Sequence, residues 1–385
     1  MRLLATLLLL CSTAFAENGV APEEEQNEFH FIVLGDAQFD HPSAFNRLVD
    51  QTARLYPAFV IQVGDLIDGY NSDLPTIREE WRRFQNQIAP LGDIPFYAIA
   101  GNHDVYGSNK KPDKQLEALF EEVWGPLYFS FTYKNALFIG LNSDDHTSMD
   151  QVSDYQIEWM KSVLANSDAT HRFVFLHKPP MLMKNADVLH EAFVAGEVSE
   201  VIYGHHHHLH HFERDGVKYT MTNAGGRMAH EVKAVGGFPH LLHVAVRGED
   251  VSVAVVEADA VHAQDMVAPA DNYDLFNLGR SLAADELKLR EQGDQFTIEL
   301  KLRNPTQRDI TAYISCSSDD GRWLFEPSKF DPITLTSGAR DQLAIKTYFD
   351  ADRQPESLPE CLVKVPFRTT GGEWFNFEQE VTTRY

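Results

Sequence analysis

The segment FHFIVLGDAQ at residues 29–38 places an apolar run directly before a glycine and a carboxylate. An apolar run without alternation predicts a strand that is buried on both faces, as in the layered sheets of α/β proteins. The same order of residue types returns in FVIQVGDLID at 59–68 and in FYAIAGNHD at 96–104. Each glycine permits a tight turn, and each turn delivers polar side chains to the end of a strand. Because such loops carry the sites of α/β folds, the three turns predict one shared site.

Two further turns of this kind follow later in the chain. FVFLHK at 173–178 brings His177 to the end of a strand, and VIYGHHH at 201–207 ends in a run of histidines. A single Gly-Asp pair after a strand is usually only a turn, and a lone histidine is usually structural. Five such turns, all ending in carboxylate, amide or imidazole groups, favour a metal site without thiolate ligands.

These five motifs, in this order, resemble those of the calcineurin-like metallophosphoesterase superfamily. The family pattern is Asp-x-His, Gly-Asp-x-x-Asp, Gly-Asn-His-Asp/Glu, a later His and Gly-His-x-His. The resemblance extends from about Phe29 to Glu257, and four of the five motifs match in full. The exception is Gln38, which stands where the first motif has histidine. The resemblance implies an α/β fold, a four-layer α-β-β-α sandwich, that holds two divalent metal ions.

The resemblance also implies which residues hold the two ions. Those around one ion would be Asp36, Gln38, Asp65 and His207. Those around the other ion would be Asp65, Asn102, His177 and His205, so that Asp65 bridges the pair. Mixed imidazole, carboxylate and amide ligands suit Mn, Fe, Zn, Ni or Co, and ligand type alone does not choose among them.

The remaining candidate residues have predicted roles in catalysis or in binding. By the resemblance, His103 would be the general acid that faces the leaving group. Asp104 would orient it, and Asp68 would lie behind the metal ligands. Asn142 and Tyr106 are candidates for lining the substrate groove, with a structural turn and ordinary core packing as their respective alternatives.

Composition limits the classes of partner. The 385 residues include 57 acidic and 33 basic side chains, which gives a formal net charge of −24. Such a charge repels nucleic-acid polymers and anionic membranes, so neither is an expected partner. An anionic phosphorylated substrate therefore needs a local source of positive charge, and two divalent cations would supply it.

The motifs predict a secreted hydrolase of phosphate mono- or diesters, acting on a phosphorylated small molecule or an envelope component. Two metal ions would activate a hydroxide, and His103 would protonate the leaving oxygen. One alternative is a specialised phosphodiesterase for cyclic-nucleotide, lipid or cell-wall substrates. Another, of a different class, is a non-catalytic binding or adhesion protein with a degenerate metal site. The presence of Asn102, His103 and Asp104 favours catalysis, because a passive binder has no need of a leaving-group acid.

The first sixteen residues have the pattern of a secretory signal peptide. A single positive charge precedes the apolar run Leu3 to Leu10, and Ala14-Phe15-Ala16 is a small-x-small cleavage signal. The run is too short to remain as a membrane span, so we expect no integral membrane segment. A lipid anchor on Cys11 is the alternative. We therefore predict a signal peptide at 1–16, a flexible leader at 17–28 and a periplasmic or secreted protein.

The second part of the chain has a different pattern. We expect the phosphoesterase-like domain to cover 29–258, followed by a linker at 259–274 and an all-β domain at 275–385. Short apolar stretches in this last domain are separated by turn sequences such as Asn304-Pro305 and Gly371-Gly372. This spacing favours a β-sandwich of immunoglobulin-like type.

Two cysteines remain once the signal peptide is removed. Cys316 and Cys361 are an even pair, which predicts a disulfide in an oxidising compartment. Two buried free thiols are the alternative.

Overall fold

The computed structural model describes residues 27–228, 231–283, 286–292, 295–349 and 354–384. The predicted signal peptide at 1–16 and almost all of the leader at 17–28 lie outside the described residues. Within these ranges, no helix combines the length and the apolar character that a membrane crossing requires.

The first region of the chain contains strands that form two mixed sheets. These strands are β1 (Glu28–Leu34), β2 (Val60–Gln62), β3 (Phe96–Ala98), β4 (Phe129–Tyr133), β5 (Ala136–Gly140), β6 (His171–Phe175), β7 (Glu200–Tyr203), β8 (His210–Arg214), β9 (Val217–Met221), β10 (Leu241–Arg247), β11 (Asp250–Val256) and β12 (Val261–Ala263). The first sheet has the order β12-β11-β10-β1-β2-β3, and the second has the order β4-β5-β6-β7-β9-β8. The five strands predicted before the motif turns are β1, β2, β3, β6 and β7, and all five lie next to a parallel neighbour.

Helices cover the outer faces of both sheets. The helices are α1 (Pro42–Leu55), α2 (Leu74–Ile88), α3 (Asn102–Val105), α4 (Lys114–Trp124), α5 (Asp154–Ala165), α6 (Ala186–Ala195) and α7 (Pro269–Ser281). α1, α2 and α4 share a core with the first sheet, and α5 and α6 share a core with the second. In α1 the buried residues are Phe45, Leu48, Val49 and Thr52, which repeat at the spacing of one helix face.

The two sheets pack against each other through a third, aromatic core. Alternate residues of β1 serve different layers: Phe31 faces the second sheet, whereas Ile32 faces the helices. The ring of Phe31 lies 5.2 Å from that of Phe138 and 5.4 Å from that of Phe173. This arrangement has the four layers α-β-β-α that were predicted, and it explains why the motif strands are apolar on both faces.

The last region is all-β, as predicted. Its strands are β13 (Glu286–Gln292), β14 (Gln295–Arg303), β15 (Ile310–Ser317), β16 (Leu324–Glu326), β17 (Ile333–Leu335), β18 (Arg340–Tyr348), β19 (Glu360–Arg368) and β20 (Trp374–Arg384). They form one hydrogen-bonded series with the order β16-β18-β14-β13-β20-β19-β15-β17. The immunoglobulin-like identity of this region stays a prediction.

The segment 259–274, which was predicted as a linker, contains regular secondary structure. β12 pairs with β11 in this stretch, and α7 begins at Pro269. The helix is stabilised by partners distant in sequence: the guanidinium of Arg308 donates to Asp271 at 2.9 Å and to Asp274 at 2.6 Å. These long-range ion pairs stabilise a helix that the local sequence pattern did not indicate.

Cys316 and Cys361 form a disulfide, which confirms the predicted pairing. The two residues face each other across β15 and β19, with their Cα atoms 4.0 Å apart. Because they are separated by 45 positions, the bond closes a long loop of the unfolded chain.

We expect the double variant Cys316→Ser with Cys361→Ser to have a free energy of unfolding about 4 kcal/mol lower than that of the wild type. The disulfide restricts the unfolded ensemble by closing a long loop, and the variant loses this restriction. Denaturant unfolding of the variant and of the wild type measures the difference. Reduced wild-type protein should unfold like the variant. Alkylation of both thiols in protein never exposed to reductant would contradict the prediction.

Candidate metal centre

Five predicted ligands meet at one edge of the sheets, where the parallel strands end. Ligand atoms of Asp65, His177 and His205 all lie within 4.8 Å of one another, and so do those of Asp36, Asp65 and His207. Asp65 belongs to both groups. Its position between them is the one that the resemblance assigned to the bridging carboxylate.

The two predicted amide ligands also lie at this centre. Asn102 places its Oδ1 3.1 Å from Nε2 of His177. Gln38 donates from Nε2 to Oδ2 of Asp65 at 3.2 Å, so in this rotamer its nitrogen faces the shared carboxylate. A half-turn of the amide would present its oxygen instead.

Tyr70 was not predicted as a site residue. Its hydroxyl accepts a hydrogen bond from Nδ2 of Asn102 at 2.6 Å, which turns Oδ1 of that amide toward the centre. The tyrosine ring also contacts the ring of His103, with centroids 4.4 Å apart. The only sequence signal was its place two residues after the Gly-Asp-x-x-Asp motif.

Two of the histidines are oriented by backbone carbonyl groups. Nδ1 of His177 donates to the carbonyl of Val63 at 2.9 Å, and Nδ1 of His207 donates to that of Arg227 at 2.6 Å. Their Nε2 atoms then face carboxylates, 3.2 Å from Asp65 Oδ2 and 3.2 Å from Asp36 Oδ1 respectively. Metal-binding imidazoles have this arrangement, in which the second ring nitrogen is held by an acceptor.

The donor set fits a divalent cation. Nε2 of His207 is buried and has no hydrogen-bond partner among the described residues. It points instead toward the carboxylates of Asp36 and Asp65, which are both fully buried. A ring nitrogen beside two buried carboxylates can offer lone pairs from three sides to a cation.

The carboxylates and imidazoles of the centre shift one another's pKa values. Burial alone would raise the pKa of Asp65, but the neighbouring His177 and His103 outweigh it and hold that pKa well below its usual range. Burial opposes protonation of His177 and His207, yet Asp65 and Asp36 raise their pKa values to about 10 and about 9. In His205 burial prevails, together with His177, and lowers the pKa to about 4.

The motif glycines are required by the closeness of the backbone to the ligands. A Cβ atom on Gly101 would lie within 3.0 Å of Asp65 Oδ1, and one on Gly204 within 3.0 Å of Asp36 Oδ2. The backbone N–H groups nearby stabilise the same carboxylates: His103 donates to Asp65 Oδ1 at 2.9 Å, and His205 donates to Asp36 Oδ1 at 3.0 Å.

His103 lies beside the centre with part of its ring exposed. Its Nδ1 donates to the backbone carbonyl of Asp68, and its Nε2 lies 3.9 Å from Oδ2 of Asp65. The orienting role predicted for Asp104 stays a prediction. The Asp104 carboxylate is buried and accepts the backbone N–H groups of Gly101 and Leu66, so it shapes the loop.

Asp68 is exposed at the end of the second motif turn, and its predicted place behind the metal ligands stays a prediction. Its carboxylate accepts the backbone N–H of Phe39 at 3.2 Å, which ties the first motif turn to the second. Its carbonyl, as described above, is the group that orients His103.

Neither predicted groove residue lines an open groove. Asn142 is fully buried, and its Oδ1 accepts the backbone N–H of Asp144 in a local turn. Tyr106 is also buried, and its hydroxyl accepts a hydrogen bond from Lys178 at 2.9 Å. The substrate contacts predicted for both residues stay predictions, while the structure places Asn142 in a turn and Tyr106 in a hydrophobic core.

The family model of calcineurin-like phosphoesterases matches residues 29–209, which contain all of these ligands. This segment is a calcineurin-like phosphoesterase domain. The superfamily resemblance seen in the motifs is therefore confirmed for this part of the chain.

Similar proteins also align with the phosphoesterase domain. The serine/threonine-protein phosphatase CPPED1 of Rattus norvegicus is 27% identical over 175 residues, or 39% of this chain and 54% of its own length. That of Bos taurus is 27% identical over 225 residues, or 48% of this chain and 71% of its own length. The chain thus spans little more than half of the rat protein. A dimetal phosphatase from Danio rerio is distantly similar in structure, with a TM-score of 0.46, 14% identity and coverage of 61% of this chain and 98% of that chain.

We expect Gly101→Ala to weaken binding of Mn²⁺ roughly 10–100-fold, the range found when groups that support metal ligands are changed. The added methyl group must displace the carboxylate of Asp65. Calorimetric titration measures the affinity. Gly371→Ala is the control, because its nearest neighbour would be Thr369 Oγ1 at 3.7 Å. Equal affinities in all three proteins would show that Asp65 does not bind the metal.

Proposed function

We propose that the protein is a metal-dependent phosphoric ester hydrolase that cleaves phosphate mono- or diesters. The observation that carries this proposal is the sharing of Asp65 between two groups of ligand atoms, with Nε2 of the partly exposed His103 3.9 Å from its Oδ2. Binuclear sites of this kind stabilise phosphoryl transfer. The phosphoesterase domain and the phosphatase names of the similar proteins support the same chemistry.

The proposed cofactor is a pair of divalent metal ions. One ion would be held by Asp36, Gln38, Asp65 and His207. The other would be held by Asp65, Asn102, His177 and His205. When bound, the ions supply Lewis acidity and positive charge to the phosphoryl group. That local charge reconciles an anionic substrate with a chain of net charge −24.

His103 is the proposed proton donor to the leaving oxygen. Because Nδ1 donates to the carbonyl of Asp68, Nε2 is the nitrogen that faces the substrate. Oδ2 of Asp65 lies 3.9 Å from this nitrogen, and the ring of Tyr70 packs against the imidazole. The side chain is 24% exposed, so it reaches both the substrate and the solvent that reloads its proton.

We propose further that the protein acts in the periplasm or outside the cell. The N-terminal pattern around Leu3 to Leu10 supports export. The disulfide between Cys316 and Cys361 supports an oxidising compartment, since cytosolic thiols are normally kept reduced.

The test of the proposed function is hydrolysis of aryl phosphates and bis-aryl phosphates by protein reconstituted with Mn²⁺. Asp65→Asn should abolish the activity, because a neutral amide does not hold two cations together as a carboxylate does. Asp50→Asn, an exposed carboxylate on α1, should retain it. Full activity of Asp65→Asn with two ions bound would overturn the assignment.

His103→Ala should slow esters with alkyl leaving groups by roughly 10²–10⁴-fold, the span of general acid catalysis. Nitrophenyl esters, whose leaving group needs little protonation, should lose much less. Steady-state rates on the two kinds of ester measure the difference. Equal losses on both would indicate that His103 positions the substrate and does not donate a proton.

A further inference from the structure

A cavity of about 410 Å³ opens beside the metal centre. One side of it is the histidine loop, residues 205–208, which includes the predicted ligands His205 and His207. The other side is helix α7, which begins within the segment predicted as a linker. Because two predicted ligands line it, the cavity is continuous with the place where a phosphoryl group would bind.

One face of α7 forms the far wall. Its lining residues are Asn272, Leu275, Phe276 and Gly279, which recur at the spacing of a single helix face. Asn272 ties this wall to the histidine loop, since its Oδ1 lies 3.2 Å from Nε2 of His208. Its Nδ2 donates to the carbonyl of Leu209 at 3.3 Å.

The opposite face of α7 is held by the all-β region. Asp271 accepts hydrogen bonds from the backbone N–H of Thr370 at 2.7 Å and from Arg308. Leu278 is fully buried in the core of that region. The all-β region therefore fixes the position of α7, and with it the width of the cavity.

The lining of the cavity is mainly aromatic and apolar. The ring of Phe276 lies 4.6 Å from that of His206, with the planes 36° apart. Met228, Leu275 and Val235 add a thioether and two aliphatic groups. Aromatic rings and thioethers both make favourable contacts with a further ring.

Arg227 adds a cation at the edge of the cavity. Its side chain is exposed, while its carbonyl accepts the hydrogen bond that orients His207. In a chain of net charge −24, a guanidinium beside the metal centre favours an anionic ligand.

We propose that this cavity binds the aromatic group of an aryl phosphate whose phosphoryl group lies at the metal centre. The proposal rests on the proposed function for the identity of the anionic group. A volume of about 410 Å³ suits a small organic group. Two sources share this chemistry, a free aryl phosphate and a phosphotyrosine side chain.

The direct test measures binding of phenylphosphonate and methylphosphonate, which are not hydrolysed, to Mn²⁺-loaded protein by calorimetry. Wild-type protein should bind phenylphosphonate more tightly. Phe276→Ala should weaken phenylphosphonate roughly 3–10-fold, as expected for loss of an aromatic contact, and leave methylphosphonate unchanged. Tyr273→Ala is the matched control, because Tyr273 lies on α7, is half exposed and is not part of the cavity.

Three results would overturn the proposal: equal affinities of the wild type for the two phosphonates, equal weakening of both by Phe276→Ala, or the same selective loss in Tyr273→Ala. Binding of neither phosphonate to metal-loaded protein would overturn it too. None of these results depends on turnover, so they judge the cavity separately from catalysis.

Kinetics then separate this proposal from the proposed function. The ratio of kcat/KM for phenyl phosphate to that for methyl phosphate should fall roughly 3–10-fold in Phe276→Ala and remain constant in Tyr273→Ala. A constant ratio in both variants would overturn the cavity proposal while hydrolysis itself persists. Absence of hydrolysis with any metal would instead overturn the proposed function.

Peptide substrates distinguish the two sources. If the natural ligand is a protein, a phosphotyrosine peptide should be a better substrate than free phenyl phosphate, and Phe276→Ala should affect it more than a phosphoserine peptide. If it is a small molecule, free phenyl phosphate should be the better substrate. A preference for the phosphoserine peptide over both would overturn the aromatic assignment.

Discussion

Two buried carboxylates, Asp36 and Asp65, face each other with ligand oxygens within 4.8 Å, and the rest of the site is arranged around them. Like charges in a region shielded from water are unfavourable unless other groups compensate them. Backbone N–H groups of His103 and His205 supply part of that compensation. Facing imidazoles supply another part, and bound cations would supply the rest.

The loops that carry these groups are constrained accordingly. Asp65, His205 and His207 all have positive φ angles, of 53°, 77° and 59°, which are uncommon for residues other than glycine. Such conformations persist at functional sites because the surrounding structure holds them. Here the buried parallel strands support the loops that follow them. The motif glycines, which have no Cβ atom, leave room for the ligand side chains.

Helix α7 connects the metal centre with the all-β region. One face of it lines the cavity beside the histidine loop, and the other pairs with Arg308 and Thr370. The last region of the chain therefore contributes to the site without supplying a predicted metal ligand. Its contribution is to fix the wall against which the organic part of a substrate would pack.

The sequence by itself determined the features whose causes are local. Apolar runs followed by glycine predicted the motif strands and their turns, and the order of the turns predicted that Asp36, Asp65, His177, His205 and His207 would meet. The cysteine count predicted the disulfide. These predictions succeeded because strand burial, turn geometry and the common edge of parallel strands follow from short stretches of chain.

Only the tertiary structure decided the features that depend on distant partners. The carbonyl of Asp68 and the ring of Tyr70 contact His103, and no sequence motif indicated either contact. Helix α7 was not predicted either, and its Asp271 and Asp274 both pair with Arg308 of the all-β region. A backbone carbonyl, a ring contact and a long-range ion pair leave no periodic pattern in the chain, because their geometry exists only once the sheets have packed.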